Sequence, residues 1–159
     1  LIVMGSEGRK EQMLKTDQDN ALIIADEMDV EAYVPYMNTF NETLIDFGFP
    51  KCEGNIMVSN PYWCKHAKAY EKELIRWCDM PSMEDVMNLA IFCDALCVAG
   101  QSEMLAKLKE KMFVLTRGQD VFMANFAKAA VSFGLKWVNA WRRSGRIATK
   151  AASSHCNKS

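Results

Sequence analysis

The sequence predicts an α+β protein, a small sheet with flanking helices followed by a helical module. Three observations lead there. Two short, continuous apolar runs, at residues 1–4 and 21–25, have the length and content of strands covered on both faces. From about residue 63 onward, apolar and aromatic side chains recur instead at the three-to-four spacing of helices. The 159 residues are 50% hydrophobic and 25% charged, which supplies the core of about one domain and excludes a disordered or collagen-like chain.

The elements follow in order. Leu1, Ile2, Val3 and Met4 form the first strand, broken by Gly5-Ser6-Glu7-Gly8-Arg9. A short helical stretch over about 8–14 leads into Thr16-Asp17-Gln18-Asp19-Asn20 and then the second strand. Helical spacing through Ala32, Tyr36, Phe40 and Leu44 predicts a helix within 29–47, which Pro35 either starts or kinks. Gly48-Phe49-Pro50 ends it, and residues 55–59 read as a third short strand closed by the turn dipeptide Asn60-Pro61. A helix over 63–77 carries Trp63, Ala67, Tyr70, Leu74 and Trp77 on one stripe. Ser82 followed by Asp85 predicts a capping box opening a helix to about Val98, stopped by Gly100. Ser102 caps a further helix over about 103–115, and a last one runs over 120–133 to Gly134. Beyond Trp141 the composition shifts to Ser, Ala, Lys and Arg without apolar periodicity, which reads as a disordered or foreign tail.

The net charge of -1 hides an asymmetry. Glu7, Glu11, Asp17, Asp19, Asp26, Glu27, Asp29 and Glu31 outnumber Arg9, Lys10 and Lys15 near the start. After Asp120 there is no acid, whereas Lys128, Lys136, Arg142, Arg143, Arg146, Lys150 and Lys158 are all basic. A solvated tail accounts for that basic end better than an anion-binding surface. Tyr62, Trp63, Tyr70 and Trp77, at helical spacing, read as core packing rather than base stacking, so nucleic acid is not an expected partner. The six cysteines contain no C-x-x-C pair, and Cys52 with Cys64 and His66 matches no standard zinc spacing. They read as structural thiols in a reducing, cytoplasmic setting. No apolar run approaches the ~18–20 residues that a membrane-spanning helix needs.

The chemistry concentrates near the start. A glycine turn directly after a buried strand exposes backbone N–H groups at a helix start, a cradle for phosphate. Ser6 adds a hydroxyl donor, and Arg9 a bidentate cation for phosphate oxygens. Asp17 and Asp19 stand at i and i+2, so extended backbone points both carboxylates to one face, within reach of a shared hard cation. Phosphate cradle plus paired carboxylates is what metal-assisted phosphoryl or nucleotidyl transfer requires. A calcium loop starting at Asp17 fails at Ala21, has Leu22 where glycine belongs and Met28 where the closing Glu belongs.

The string GSEGRKEQMLKTDQDNALI resembles the signature of nucleotidyltransferase domains in bacterial signalling proteins, where they follow cyclic-nucleotide-binding and paired CBS domains. More distantly it is similar to glutamine-synthetase adenylyltransferase, protein-PII uridylyltransferase and the DNA-polymerase-β-like superfamily. Gly48-Phe49-Pro50-x-Cys52-x-Gly54-Asn55-x-Met57-x-x-Asn60-Pro61-x-Trp63 extends the resemblance, as do Trp77 and Ile91-Phe92-Cys93-Asp94 through Gly100. The resemblance implies a nucleotidyltransferase-type small mixed sheet in a core at 1–80, a partial helical region at 81–135 and an unrelated basic tail at 136–159, as in a fragment of a longer chain.

By the same resemblance, Asp17 and Asp19 would be the catalytic pair and bind Mg²⁺ or Mn²⁺, while Gly5, Ser6 and Arg9 would hold the nucleotide. Glu11, Gln12 and Asn20 belong to the motif without an assigned role. The implied activity is transfer of an NMP from an NTP to a hydroxyl, with a protein side chain as an acceptor. The wider superfamily carries a third carboxylate on a later strand. Residues 55–60 hold none, and Glu53 is the nearest acid. The alternative is therefore a catalytically weak, nucleotide-sensing module that regulates attached signalling domains.

Overall fold

In the computed structural model, the described residues are 1–9, 17–79 and 81–119, with Ala124, Phe126 and Ala127. Leu1–Gln119 forms one compact unit and Asp120–Ser159 a second. In the second unit, the described residues Ala124, Phe126 and Ala127 are helical; the remainder of the expected helix over 120–133 and the basic tail lie outside the described residues.

The chain is α+β. Strand β1 (Ile2–Val3) leads into α1 (Gly5–Gly8), and β2 (Asn20–Ile24) follows. A 3₁₀ turn (Glu31–Tyr33) opens α2 (Val34–Asp46), and β3 (Cys64–His66) runs directly into α3 (Ala67–Asp79). Then come α4 (Met83–Cys93), β4 (Leu96–Cys97) and α5 (Ser102–Thr116). Among the described residues the sheet is four-stranded and mixed, in the order β3-β2-β1-β4. Strand β1 is antiparallel to both neighbours, with Ile2 opposite Ala21 and Cys97, whereas β2 and β3 run parallel, with Leu22 opposite Cys64. A parallel pair needs a crossover, and α2 supplies it.

Burial explains the elements. Ala21, Ile23 and Ile24 of β2 are buried, as a continuous apolar run requires when both faces are covered. Tyr70, Leu74 and Trp77 of α3 are fully buried, and Phe92 of α4 packs with ring centroids 5.8 Å from Tyr70 and 6.0 Å from Trp77. These aromatics are core, as their spacing predicts, and Trp63 joins them 6.1 Å from Trp77. The capping box forms in full: the Asp85 N–H donates to Ser82 Oγ, and the Ser82 N–H donates to Asp85 Oδ2 at 3.0 Å. Arg76 of α3 reaches across to Asp85 at 2.6 Å, tying the two helices together.

The structure corrects several expectations. Residues 55–59 are a loop, not a strand. Asn55 takes φ 53°, Ile56, Met57 and Val58 are buried, and the Val58 N–H donates to the Asn20 side-chain amide oxygen instead of a strand ladder. The strand beside β2 is Cys64–His66, which shortens the helix expected over 63–77. The helix expected to reach Val98 ends at Cys93, because Leu96 and Cys97 complete the open edge of β1. Gln101, not Ser102, is the N-cap of α5 and makes no side-chain capping bond. Pro35 stands in the first turn of α2, so it starts the helix without kinking it. The apolar stripe foreseen for α2 is not its buried face: Tyr36 is exposed and the buried residue is Asn41. The helical stretch after the glycine turn starts at Gly5, and its continuation to residue 14 lies outside the described residues.

Candidate functional site

The site lies at the end of the sheet where β1 stops and β2 begins. Gly5 follows β1 with φ 58°, a left-handed conformation that favours glycine. A Cβ added there would stand 2.6 Å from Asp19 Oδ2, so the turn lies directly against that carboxylate. The Met4 N–H donates to the Asp19 carbonyl at 2.9 Å, which locks the turn to the start of β2. Gly8 serves a different need. Its Cβ would fall 2.0 Å from the Asp94 carbonyl oxygen, so only glycine lets α1 pack against the end of α4.

Asp17, Asp19 and Cys52 offer ligand atoms that all lie within 4.8 Å of one another. Both carboxylates are half-buried and the thiol is buried. The Cys52 thiol donates to the Asp19 carboxylate; burial first, and then this hydrogen bond, pushes its pKa up to about 12. Two carboxylates and a sulfur in one small cluster form a donor set that fits a divalent cation. Glu53, the acid nearest in sequence, is exposed and is not part of the cluster. Cys64 and His66 do not join Cys52: His66 Nε2 lies instead 2.7 Å from the Met28 carbonyl oxygen.

Period-two geometry also aims the residues that alternate with the acids the other way. Gln18 and Asn20 are 0% and 1% exposed, and with Asn41 of α2 they form a buried amide network. Asn41 Nδ2 donates to Gln18 Oε1 at 2.7 Å and to Asn20 Oδ1 at 3.2 Å. Asn20 Oδ1 accepts from the Val58 N–H, and Asn41 Oδ1 from the Ser59 N–H, both at 2.9 Å. The network holds the segment that carries the acids into β2 against the 55–59 loop. Sequence reasoning left Asn20 without a role and passed over Gln18 and Asn41. The available signal was polar residues in strict alternation with the acids at the mouth of a buried strand.

Of the other expected nucleotide contacts, Ser6 lies on the backbone of α1, and its side chain is outside the described part. Arg9 is ion-paired with Asp94, so its guanidinium braces α1 against the segment after α4. Glu11 and Gln12 lie outside the described residues. A cavity of about 320 Å³, lined by Leu1, Ile24, Glu27, Met28, Cys97 and Met104 among others, opens at the opposite end of the sheet and takes no part in this cluster.

A small mixed sheet carrying a glycine turn over paired acids defines a nucleotidyltransferase-type α+β protein. The family model described as "Putative nucleotidyltransferase DUF294" matches residues 1–84, and the chain belongs to this family. No curated protein and no solved structure matches the chain. Among the described residues, no helix is long and apolar enough to cross a membrane.

Proposed function

We propose that this chain is a metal-dependent nucleotidyltransferase module that moves an NMP from an NTP to a hydroxyl, with a protein side chain as the acceptor. The observation that carries this reading is the contact of the Gly5 turn with Asp19, beside Asp17. It supports the reading because the backbone turn proposed to bind phosphate lies against one of the carboxylates proposed to hold the cation. Asp17 and Asp19 are the catalytic pair and hold the cation, Mg²⁺ or Mn²⁺. A divalent ion there neutralises charge on the triphosphate and on the leaving pyrophosphate. Gly5 and Ser6 hold the phosphates, and Arg9 turns from Asp94 to the triphosphate as the nucleotide arrives. The Gln18, Asn20 and Asn41 amides fix the strand, so the carboxylates are in position before substrate binds. A cytoplasmic signalling protein with CBS and cyclic-nucleotide-binding domains is the setting proposed from the sequence resemblance.

The second reading, a nucleotide-sensing module with weak catalysis, is favoured by one observation: the third member of the cluster is a thiol and not a carboxylate. Incubation with Mg²⁺ and α-labelled NTPs separates the two. Pyrophosphate release with label transfer, abolished in Asp17→Asn and Asp19→Asn, supports the transferase. NTP binding without turnover, equal in all three proteins, overturns it.

A further inference from the structure

We propose that Cys52 is the third protein ligand of the cation held by Asp17 and Asp19, and that it biases the site toward borderline ions such as Zn²⁺ or Co²⁺ over Mg²⁺. This inference rests on the metal site of the proposed function and deepens it. A thiol with a purely structural role faces apolar neighbours. Cys52, only 8% exposed, faces carboxylates. Its place is set by the backbone on both sides. The Gln18 N–H donates to the Pro50 carbonyl at 3.2 Å, and the Asn20 N–H donates to the Ile56 carbonyl at 3.0 Å. Residues 18 and 20 bracket Asp19 while residues 50 and 56 bracket the Cys52 loop, so the two donors are held opposite each other. The Asn55 N–H closes that loop onto the Cys52 carbonyl at 2.9 Å.

The chemistry follows from the donor set. Mg²⁺ demands oxygen ligands in near-ideal octahedral geometry, whereas a thiolate favours softer or borderline ions. On ligation the metal–sulfur bond replaces the S–H bond, and the proton that Cys52 shares with Asp19 leaves to solvent. No redox change is involved.

The test is a Co²⁺ titration of the full chain, read by the near-ultraviolet charge-transfer band of a cobalt–thiolate bond. A band that saturates at one equivalent is expected in the unmodified protein. It should vanish in Cys52→Ser and also in Asp19→Asn, which keeps every thiol. Cys52→Ser should weaken Co²⁺ or Zn²⁺ binding about tenfold or more while changing Mg²⁺ binding far less. Cobalt binding without the band, or a band that survives either substitution, overturns the proposal. Should Cys52→Ser fail to fold, ¹¹³Cd NMR of the unmodified protein and of Asp19→Asn reads the ligands directly. A sulfur-shifted resonance that depends on Asp19 supports Cys52, and an all-oxygen shift overturns it. NMP transfer with no thiolate band removes the ligand and leaves the transferase. A band that depends on both residues, without transfer from any NTP, leaves the ligand and removes the transferase.

Discussion

A methyl group on Gly5 would stand 2.6 Å from Asp19 Oδ2, while Gly5 itself holds φ 58°. One position thus combines a backbone conformation that only glycine adopts readily with a contact that only glycine allows. Gly5→Ala should cost about 1–3 kcal/mol from the left-handed backbone and the forced contact. Nucleotide transfer should fall more steeply than stability, because the substitution displaces Asp19. Urea denaturation beside the labelled-NTP assay checks this, and an alanine variant of native stability and full activity would refute it.

Asn41 is the buried residue of α2 and bonds to Gln18, Asn20 and the Ser59 N–H at once. Asn41→Ala leaves the Ser59 N–H without its acceptor and Gln18 Oε1 with only the 3.5 Å bond from Asn20 Nδ2, at an expected cost of about 2–3 kcal/mol. Asn41→Leu should be no milder, since it buries an apolar group against the same unsatisfied amides. A shift of the urea midpoint with an unchanged slope is the expected signature.

Ser82→Ala removes one half of the capping box at α4 and should lower stability by about 0.5–2 kcal/mol. Thermal unfolding followed by circular dichroism measures it. Ser82→Asp, which keeps an acceptor at the cap but sets a second carboxylate beside Asp85, should recover only part of the loss.

Two pH limbs are expected. Burial by itself would raise the carboxyls of Glu73 and Asp85. The Arg76 hydrogen bond and Lys65 charge at Glu73, and the Ser82 hydrogen bonds at Asp85, instead hold them below their ordinary values of 4.5 and 3.8. Below those values the unfolded chain binds more protons than the folded one, so this stability is full above about pH 4.5 and is lost on acidification. On the alkaline side, burial pushes Cys78 and Cys93 from 9.0 to about 11. There the folded chain keeps protons that the unfolded one releases, so stability should fall as the pH rises from about 9 toward 11. Arg76→Met should flatten the acid limb and leave the alkaline one, as measured by denaturation across the pH range.

The site was legible where it is local. Asp17 and Asp19 announce themselves by spacing, because extended backbone sends every second side chain to one face. The Ser82–Asp85 box was equally plain, since both partners lie within one helical turn. Cys52 was not, because its nearness to Asp19 depends on two loop-to-strand hydrogen bonds bridging more than thirty positions.

Local pattern thus determined the α+β class, the second strand, the helix start at Ser82, and the pairing of glycine turn with acids, and it left Pro35 as either a start or a kink. Tertiary structure decided the rest. Cys64–His66 and Leu96–Cys97 become strands only because β2 and β1 present open edges beside them, and two or three residues carry too little pattern to declare themselves. Residues 56–58 are as apolar as a strand. They stay a loop because the Asn20 and Asn41 side chains accept the Val58 and Ser59 N–H bonds that a sheet neighbour would otherwise take.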